Sequence, residues 1–348
     1  MSQDAVRPDE HADPVAAVRS AHRRGLPLSL ATAGTTATSR RVRRTTASWW
    51  GSFAAYADLT GVTPGARVWL PGPMTSTMVL FAAVHAAESG AVLVSDPAQA
   101  THACLTPAQL WQHASSLPPG TIVTTAGAAQ PEAVTTLAQE RQLDLRTYCG
   151  AAELSFVAAD PDRGGLRAFD RVELSVRDGV VWVRSPWLSD GYDEANTSHH
   201  PDPPRLHTSR TGGSRTPGSF TRDADGWASV GDLGRLDEYG VLTVLGRPEA
   251  ITTAGATVLI ADIEALLAPA ASAPFAVHEV SHPTLGAVVA VTVTAPADRE
   301  RLLSYAKTHL TTTHRPRVVR HTDQLPLTPA GKLDRAALSL AGHLPGRR

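Results

Sequence analysis

The sequence predicts an α/β protein. A large N-terminal domain carries a mostly parallel sheet continued by a β-meander, and a small α+β domain closes the chain. Three observations lead there. Between Trp49 and Tyr148 short apolar strands alternate with helical stretches, the pattern of parallel strands joined by crossover helices. After Arg171 the texture changes to hairpins with Gly-containing turns. From Glu249 onward a smaller set of helices and strands follows.

Residues 1–13 read as a mobile polar leader, and Pro14–Arg24 as a helix with Val15, Val18 and Ala21 at helical spacing. Leu28–Ala31 is strand-like and runs into a small-residue loop at 32–39. Helices are then expected at Ser52–Leu59, Met78–Glu88 and Glu132–Gln142. Strands are expected at Arg67–Leu70, Ala91–Val94, Ile122–Thr125 and Asp144–Tyr148. Val172–Val176 and Val180–Arg184 flank an Arg-Asp-Gly turn and form a hairpin. Residues 194–224, crowded with Pro, Gly, Ser, Thr and His, form a long surface loop. His199, His200 and His207 in it lack the fixed spacing of a metal site. A meander turning at 225–226 and 238–240 completes residues 14–248 as one domain. In 249–348 come a helix (Ala261–Leu267), a strand (Val288–Thr294), a helix (Asp298–Leu310), a strand (Arg317–Arg320), a Pro-rich loop and a closing helix.

Composition narrows the function. The 348 residues carry a formal net charge of -1, without the basic stripe of a general nucleic-acid binder. No apolar run approaches the roughly 18 residues of a membrane span. The acidic opening stretch is not a signal peptide, so a cytoplasmic location is expected. Two cysteines, Cys104 and Cys149, make no disulfide framework.

Four short elements carry chemistry. In loop 32–39, hydroxyl and small residues after a strand let N–H and O–H groups converge on an anion, although a plain Thr-rich turn explains it equally well. Tyr-Cys-Gly-Ala-Ala-Glu at 148–153 puts Glu153 at the carboxyl edge of the sheet, as a hard ligand for Mg²⁺ or as a helix-start glutamate. Asp232, between glycines at 229–234, can accept both hydroxyls of a ribose, and Arg247 begins the connection to the C-terminal domain. Either could equally be a turn or surface ion-pair residue. Lys332, after Pro329 and Gly331, is a compact cation on a loop tip, suited to a phosphate or carboxylate oxygen or simply solvated.

Taken in order, these elements resemble the adenylate-forming superfamily of acyl-CoA synthetases, peptide-synthetase adenylation domains and luciferases. The resemblance runs from about Leu30 to about Leu338 and is densest after Val230. It matches the family's phosphate loop to Thr32–Arg41, its Tyr-Gly-x-Thr-Glu segment to Cys149–Glu153 and its Thr-Gly-Asp signature to Val230–Asp232. The hinge strand falls on Gly246–Glu249 and the Gly-Lys loop on Gly331–Lys332. It implies that Thr32, Gly34, Thr35 and Thr36 cradle the phosphates of ATP, and that Gly127, Ala128 and Tyr148 lie on the adenine side. Asp232 and Arg247 would hold the ribose and Glu153 Mg²⁺, and Lys332 would stabilise the adenylation transition state. Glu249 would be the hinge, and Ala254 and Gly255 would meet the thiol acceptor.

Departures from the pattern are Ala33 and Ala37 in the phosphate loop, Ser39-Arg40 for Pro-Lys, Ala152 for the Thr before Glu153, and Ala250 after the hinge. The segments before and after the phosphate loop are also short, which implies a compact form of the fold. The implied activity uses ATP, Mg²⁺ and coenzyme A to convert a small carboxylic acid to an acyl-adenylate and then a thioester. Alternatives are loading of a carrier protein, an amine acceptor, or a nucleotide-binding pseudoenzyme. No nucleic acid or membrane partner is implied.

Overall fold

A computed structural model describes residues 4–31, 40–193, 220–246, 249–253, 256–282 and 286–340. Among them a 13-stranded mixed sheet forms the backbone of the N-terminal part. Its parallel half is made of Val92–Val94, Arg67–Trp69, His102–Leu105, Ile122–Thr125 and Asp144–Ala151, all paired parallel in that order. From Asp144–Ala151 the sheet continues antiparallel through Ser155–Asp160, Leu166–Ala168, Val241–Gly246 and Leu233–Leu236 to Val180–Arg184. The parallel half and the meander are thus one sheet. Thr77–Glu88, apolar along most of its length, is buried from Val79 to Ala86, and its Phe81 packs edge-on against Trp49, Tyr56 and Phe156.

The expected hairpin forms between Glu173–Arg177 and Val180–Arg184, with Asp178 and Gly179 both at positive φ, as a two-residue type I′ connection requires. The expected loop 194–224 is shorter at its far end, because Thr221–Arg222 pairs with Ala228–Ser229. Residues 194–219, with His199, His200 and His207, lie outside the described residues. Among the elements that escaped the sequence reading are the strand His102–Leu105 and the helix Pro107–His113. That strand is short, and pairing with a parallel neighbour on each side decides its conformation.

The leader was expected to be mobile, and it is tied down instead. Val6 N–H donates to Pro27 O and Ser29 N–H to Val6 O. Asp9 meets Arg41 bidentately at 2.5 and 2.9 Å, and Arg41 also bonds Ser29. Composition gave no hint of this, because the partner lies across the next strand pair. The Arg41 guanidinium holds the Asp9 carboxyl below its ordinary value. A depressed carboxylate contributes stability above its unfolded pKa and loses it as pH falls through the folded value. Asp9→Asn should therefore cost about 1 kcal/mol near pH 7 and less near pH 3, measured by urea unfolding. Equal losses at both pH values would refute the pairing.

The C-terminal part has its own five-stranded sheet. Gly286–Val293 sits at its centre, antiparallel to Phe275–His282 and parallel to Val318–His321. Its core is separate, with Ile251, Ile263, Leu267, Val277, Val291 and Leu302 fully buried. Helices Ile260–Leu267 and Asp298–His309 supply the apolar faces that fill it.

Candidate active site

Three consecutive parallel strands, His102–Leu105, Ile122–Thr125 and Asp144–Ala151, end on Thr106, on the Gly127 turn and on the Glu153 turn. Parallel pairing makes that inevitable: the loops after the strands gather at one carboxyl edge, where α/β sheets bind ligands.

Glu153 is buried, 4% exposed, at the tip of the hairpin between Asp144–Ala151 and Ser155–Asp160. The hairpin closes so tightly that a Cβ on Gly150 would stand 2.3 Å from Ser155 O, so only glycine fits. Three groups hold the turn. Tyr192 donates its hydroxyl to Glu153 Oε1 at 2.9 Å, and Ser189 N–H donates to Glu153 O at 2.9 Å. Arg44, 1% exposed, donates Nη1 to Ala152 O at 3.0 Å, Nη2 to Trp187 O at 2.5 Å and Nε to Ser48 Oγ at 3.1 Å. Burial pulls the Arg44 guanidinium down to about 10, against the pull of Asp190 and Glu153. Arg40, the cation in place of the family's lysine, lies over the Tyr192 ring at 5.2 Å. A positive charge thus sits on the residue that holds Glu153.

Asp232 follows Gly231, at φ 81, and its carbonyl accepts from Val181 N–H. Its carboxylate is close enough to Cys149 to help burial push that thiol up to about 12. Alternation along the strand then places Tyr148 on the opposite face. Its ring is 8% exposed and packs at 5.1 Å against Phe156 and edge-on to Tyr56. Tyr148, expected on the adenine side, is thus packed in the core on one face of the strand, and Cys149 lies on the face toward Asp232. Cys104, in the same core, is raised by burial to about 11, so neither thiol is a nucleophile at neutral pH.

The Lys332 loop is a compact hairpin. Thr328 N–H donates to Lys332 O at 2.7 Å, Gly331 N–H to Thr328 O, and Asp334 N–H to Pro326 O. It docks on the sheet edge: Thr106 Oγ1 donates to Gly331 O at 2.6 Å. A Cβ on Gly127 would lie 3.6 Å from Lys332 Cε, so the stem of the lysine reaches the turn expected on the adenine side. Gly127 and Ala128 are exposed there, and Gly127 has φ +85. Glu249 is paired with Arg335 at 3.4 Å, and Arg335 also bonds Glu264 at 2.8 Å and Val277 O at 3.1 Å. The hinge candidate is thus fastened to the C-terminal unit.

Thr32, Gly34, Thr35, Thr36, Arg247, Ala254 and Gly255 lie outside the described residues. Among the described residues no group of three or more His, Cys, Asp or Glu could hold a metal ion, and no helix is long and apolar enough to cross a membrane. Sequence reasoning missed Arg44, Thr106, Gln109 and Tyr192. Thr106-Pro107-Ala108-Gln109 is a capping-box signature and was legible. Arg44 was legible in part, since Val42 faces inward and period-two alternation turns Arg44 the same way. Nothing around Tyr192 marked it.

Residues 264–332 match the family described as the AMP-binding enzyme C-terminal domain. A probable 2-succinylbenzoate–CoA ligase of Mycobacterium tuberculosis is 41% identical over 122 residues, 32% of this chain and 32% of that protein. The chain thus matches about a third of that relative's length. ATP-bound MatB of Rhodopseudomonas palustris aligns with a TM-score of 0.69 at 20% identity, over 90% of this chain and 67% of that one. The amide bond synthetase McbA of Marinactinospora thermotolerans aligns with a TM-score of 0.66 at 25% identity, over 90% and 68%. The chain thus shares the fold of these solved enzymes, and its residues 264–332 match the C-terminal domain of AMP-binding enzymes.

Proposed function

We propose that the chain is an AMP-forming acid–thiol ligase, with residues 14–248 binding nucleotide and acid and residues 249–348 acting as a lid hinged at Glu249. The observation that carries this reading is the seating of the Lys332 loop beside Gly127, on the edge where Glu153 is also presented. The CoA-ligase relative supports the acceptor class.

In the first half-reaction a carboxylate oxygen attacks the α-phosphorus of ATP, the bond to the bridging oxygen breaks, and pyrophosphate leaves. In the second, a thiolate attacks the acyl carbonyl, the bond to the phosphate oxygen breaks, and AMP leaves. Two anions must meet in the first step, so positioning and charge compensation carry the catalysis. Lys332 places an ammonium at the nucleotide turn, and Asp232 accepts the ribose hydroxyls.

The donor set fits Mg²⁺ held chiefly through the nucleotide's phosphates: one buried hard carboxylate, Glu153, and no wider cluster among the described residues. When bound, the ion would neutralise phosphate charge. Tyr192 and Arg44 keep the Glu153 carboxylate in place for it. Coenzyme A is the proposed acceptor, supported by the CoA-ligase relative. The likeness to an amide bond synthetase favours an amine acceptor as the second reading.

ATP–pyrophosphate exchange across a panel of carboxylic acids tests the assignment, and exchange dependent on particular acids is expected. Its absence with every acid would make the chain a nucleotide binder without turnover. Adding coenzyme A, a carrier protein or an amine to the active pair then identifies the acceptor.

A further inference from the structure

We infer that Thr106 and Gln109 form the seat that holds the lysine loop in its adenylation position, an inference that rests on the lid reading above. Thr106 and Gln109 are 1% and 7% exposed and lock each other in a capping box. Gln109 N–H donates to Thr106 Oγ1 at 3.2 Å, and Thr106 N–H donates to Gln109 Oε1 at 2.9 Å. The threonine lone pair is thereby committed to the helix start, while its single proton goes to Gly331 O, 225 residues away. Gln109 forms the floor beneath the loop. A Cβ on Gly331 would stand 2.4 Å from Gln109 Cδ, and Gly331 has φ +76, so close approach and backbone conformation both demand glycine there. Thr106 Cγ2 and Lys332 Cε flank the same turn, at 3.7 and 3.6 Å from where a Gly127 Cβ would lie.

The hydroxyl-to-carbonyl bond joins the two units, so it exists only while they are docked. A group that binds one of two states biases their populations by its differential affinity alone. The seat therefore favours the state in which Lys332 reaches the nucleotide and is broken in the state that admits the acceptor. Thr106 and Gln109 are positioning residues, acting through Lys332.

The test splits the half-reactions and reads the docking directly. Thr106→Val should slow adenylation about tenfold, the size of one lost buried hydrogen bond, and leave thiolysis of added acyl-adenylate at or above the wild-type rate. Thr106→Ser should restore adenylation. Hydrogen exchange of amides 328–334 should rise in Thr106→Val without substrate, a readout independent of turnover. Gln109→Leu, which removes the amide beneath Gly331 and the lock on Thr106, should give the same split if Thr106→Val folds poorly. Unchanged exchange protection, or equal slowing of both half-reactions, overturns the seat. A wild-type chain inactive with every acid refutes the function proposed above and leaves hydrogen exchange to decide the seat.

Discussion

Lys332→Ala is expected to lower the adenylation rate by roughly 10²-fold or more, the scale of removing one preorganised charge from a site where negative charge accumulates. Thiolysis of a supplied acyl-adenylate should stay close to the wild-type rate, because that step no longer brings a carboxylate to a triphosphate. The structure sharpens the expectation. The lysine rides on a loop closed by its own backbone bonds, with Leu327 and Leu333 bridged antiparallel, and that loop is already against the sheet edge. Alanine should therefore remove the ammonium without moving the loop, and the apparent affinity for ATP should change much less than the rate. Pyrophosphate exchange by the variant at the wild-type rate would end the assignment of the lysine to the transition state. A parallel loss in thiolysis would reassign it to holding the lid.

Replacing Arg44 by Met should give the largest loss of stability, about 3 kcal/mol. The side chain is fully enclosed, and its guanidinium serves Ala152 O, Trp187 O and Ser48 Oγ at once. Methionine fills much of the volume but donates nothing, so two carbonyls are left buried without a donor, each costing about 1–3 kcal/mol. For a chain of this size the melting temperature should fall by about 4 °C. Lysine should not rescue it, since one ammonium cannot span three acceptors that a planar fork reaches together. Adenylation should weaken as well, because the freed carbonyl of Ala152 adjoins Glu153. An unchanged melting temperature would mean that water reaches the carbonyls, contrary to the packing around Trp49 and Trp187.

Much of this architecture was legible in the order of the residues. The helices Pro14–Arg23, Thr77–Glu88 and Asp298–His309 follow from periodic apolar positions, and the hairpin around Asp178-Gly179 from its turn residues. Glu153 and Lys332 could be named as candidates because short chemical signatures stay local in sequence. Three other features depended on partners elsewhere in the chain. The surroundings of Tyr148 were not legible, because one step along a strand reverses the face, and only the packing of Phe156 and Tyr56 tells which face is the core. Nothing local in the sequence marks the partners of Arg41 and Arg44: one closes onto Asp9 and the other onto carbonyls 108 and 143 residues away.

Local periodicity and signature spacing therefore determined by themselves the α/β class and the residue types available for chemistry. Tertiary structure alone decided which of those residues meet: that the leader is an anchor, that Tyr192 holds Glu153, and that Thr106 and Gln109 receive the lysine loop. The physical reason is reach. Hydrophobic spacing and turn conformation are set by neighbours a few residues apart, whereas a hydrogen bond across 225 residues exists only once the sheet edge and the C-terminal unit are both built.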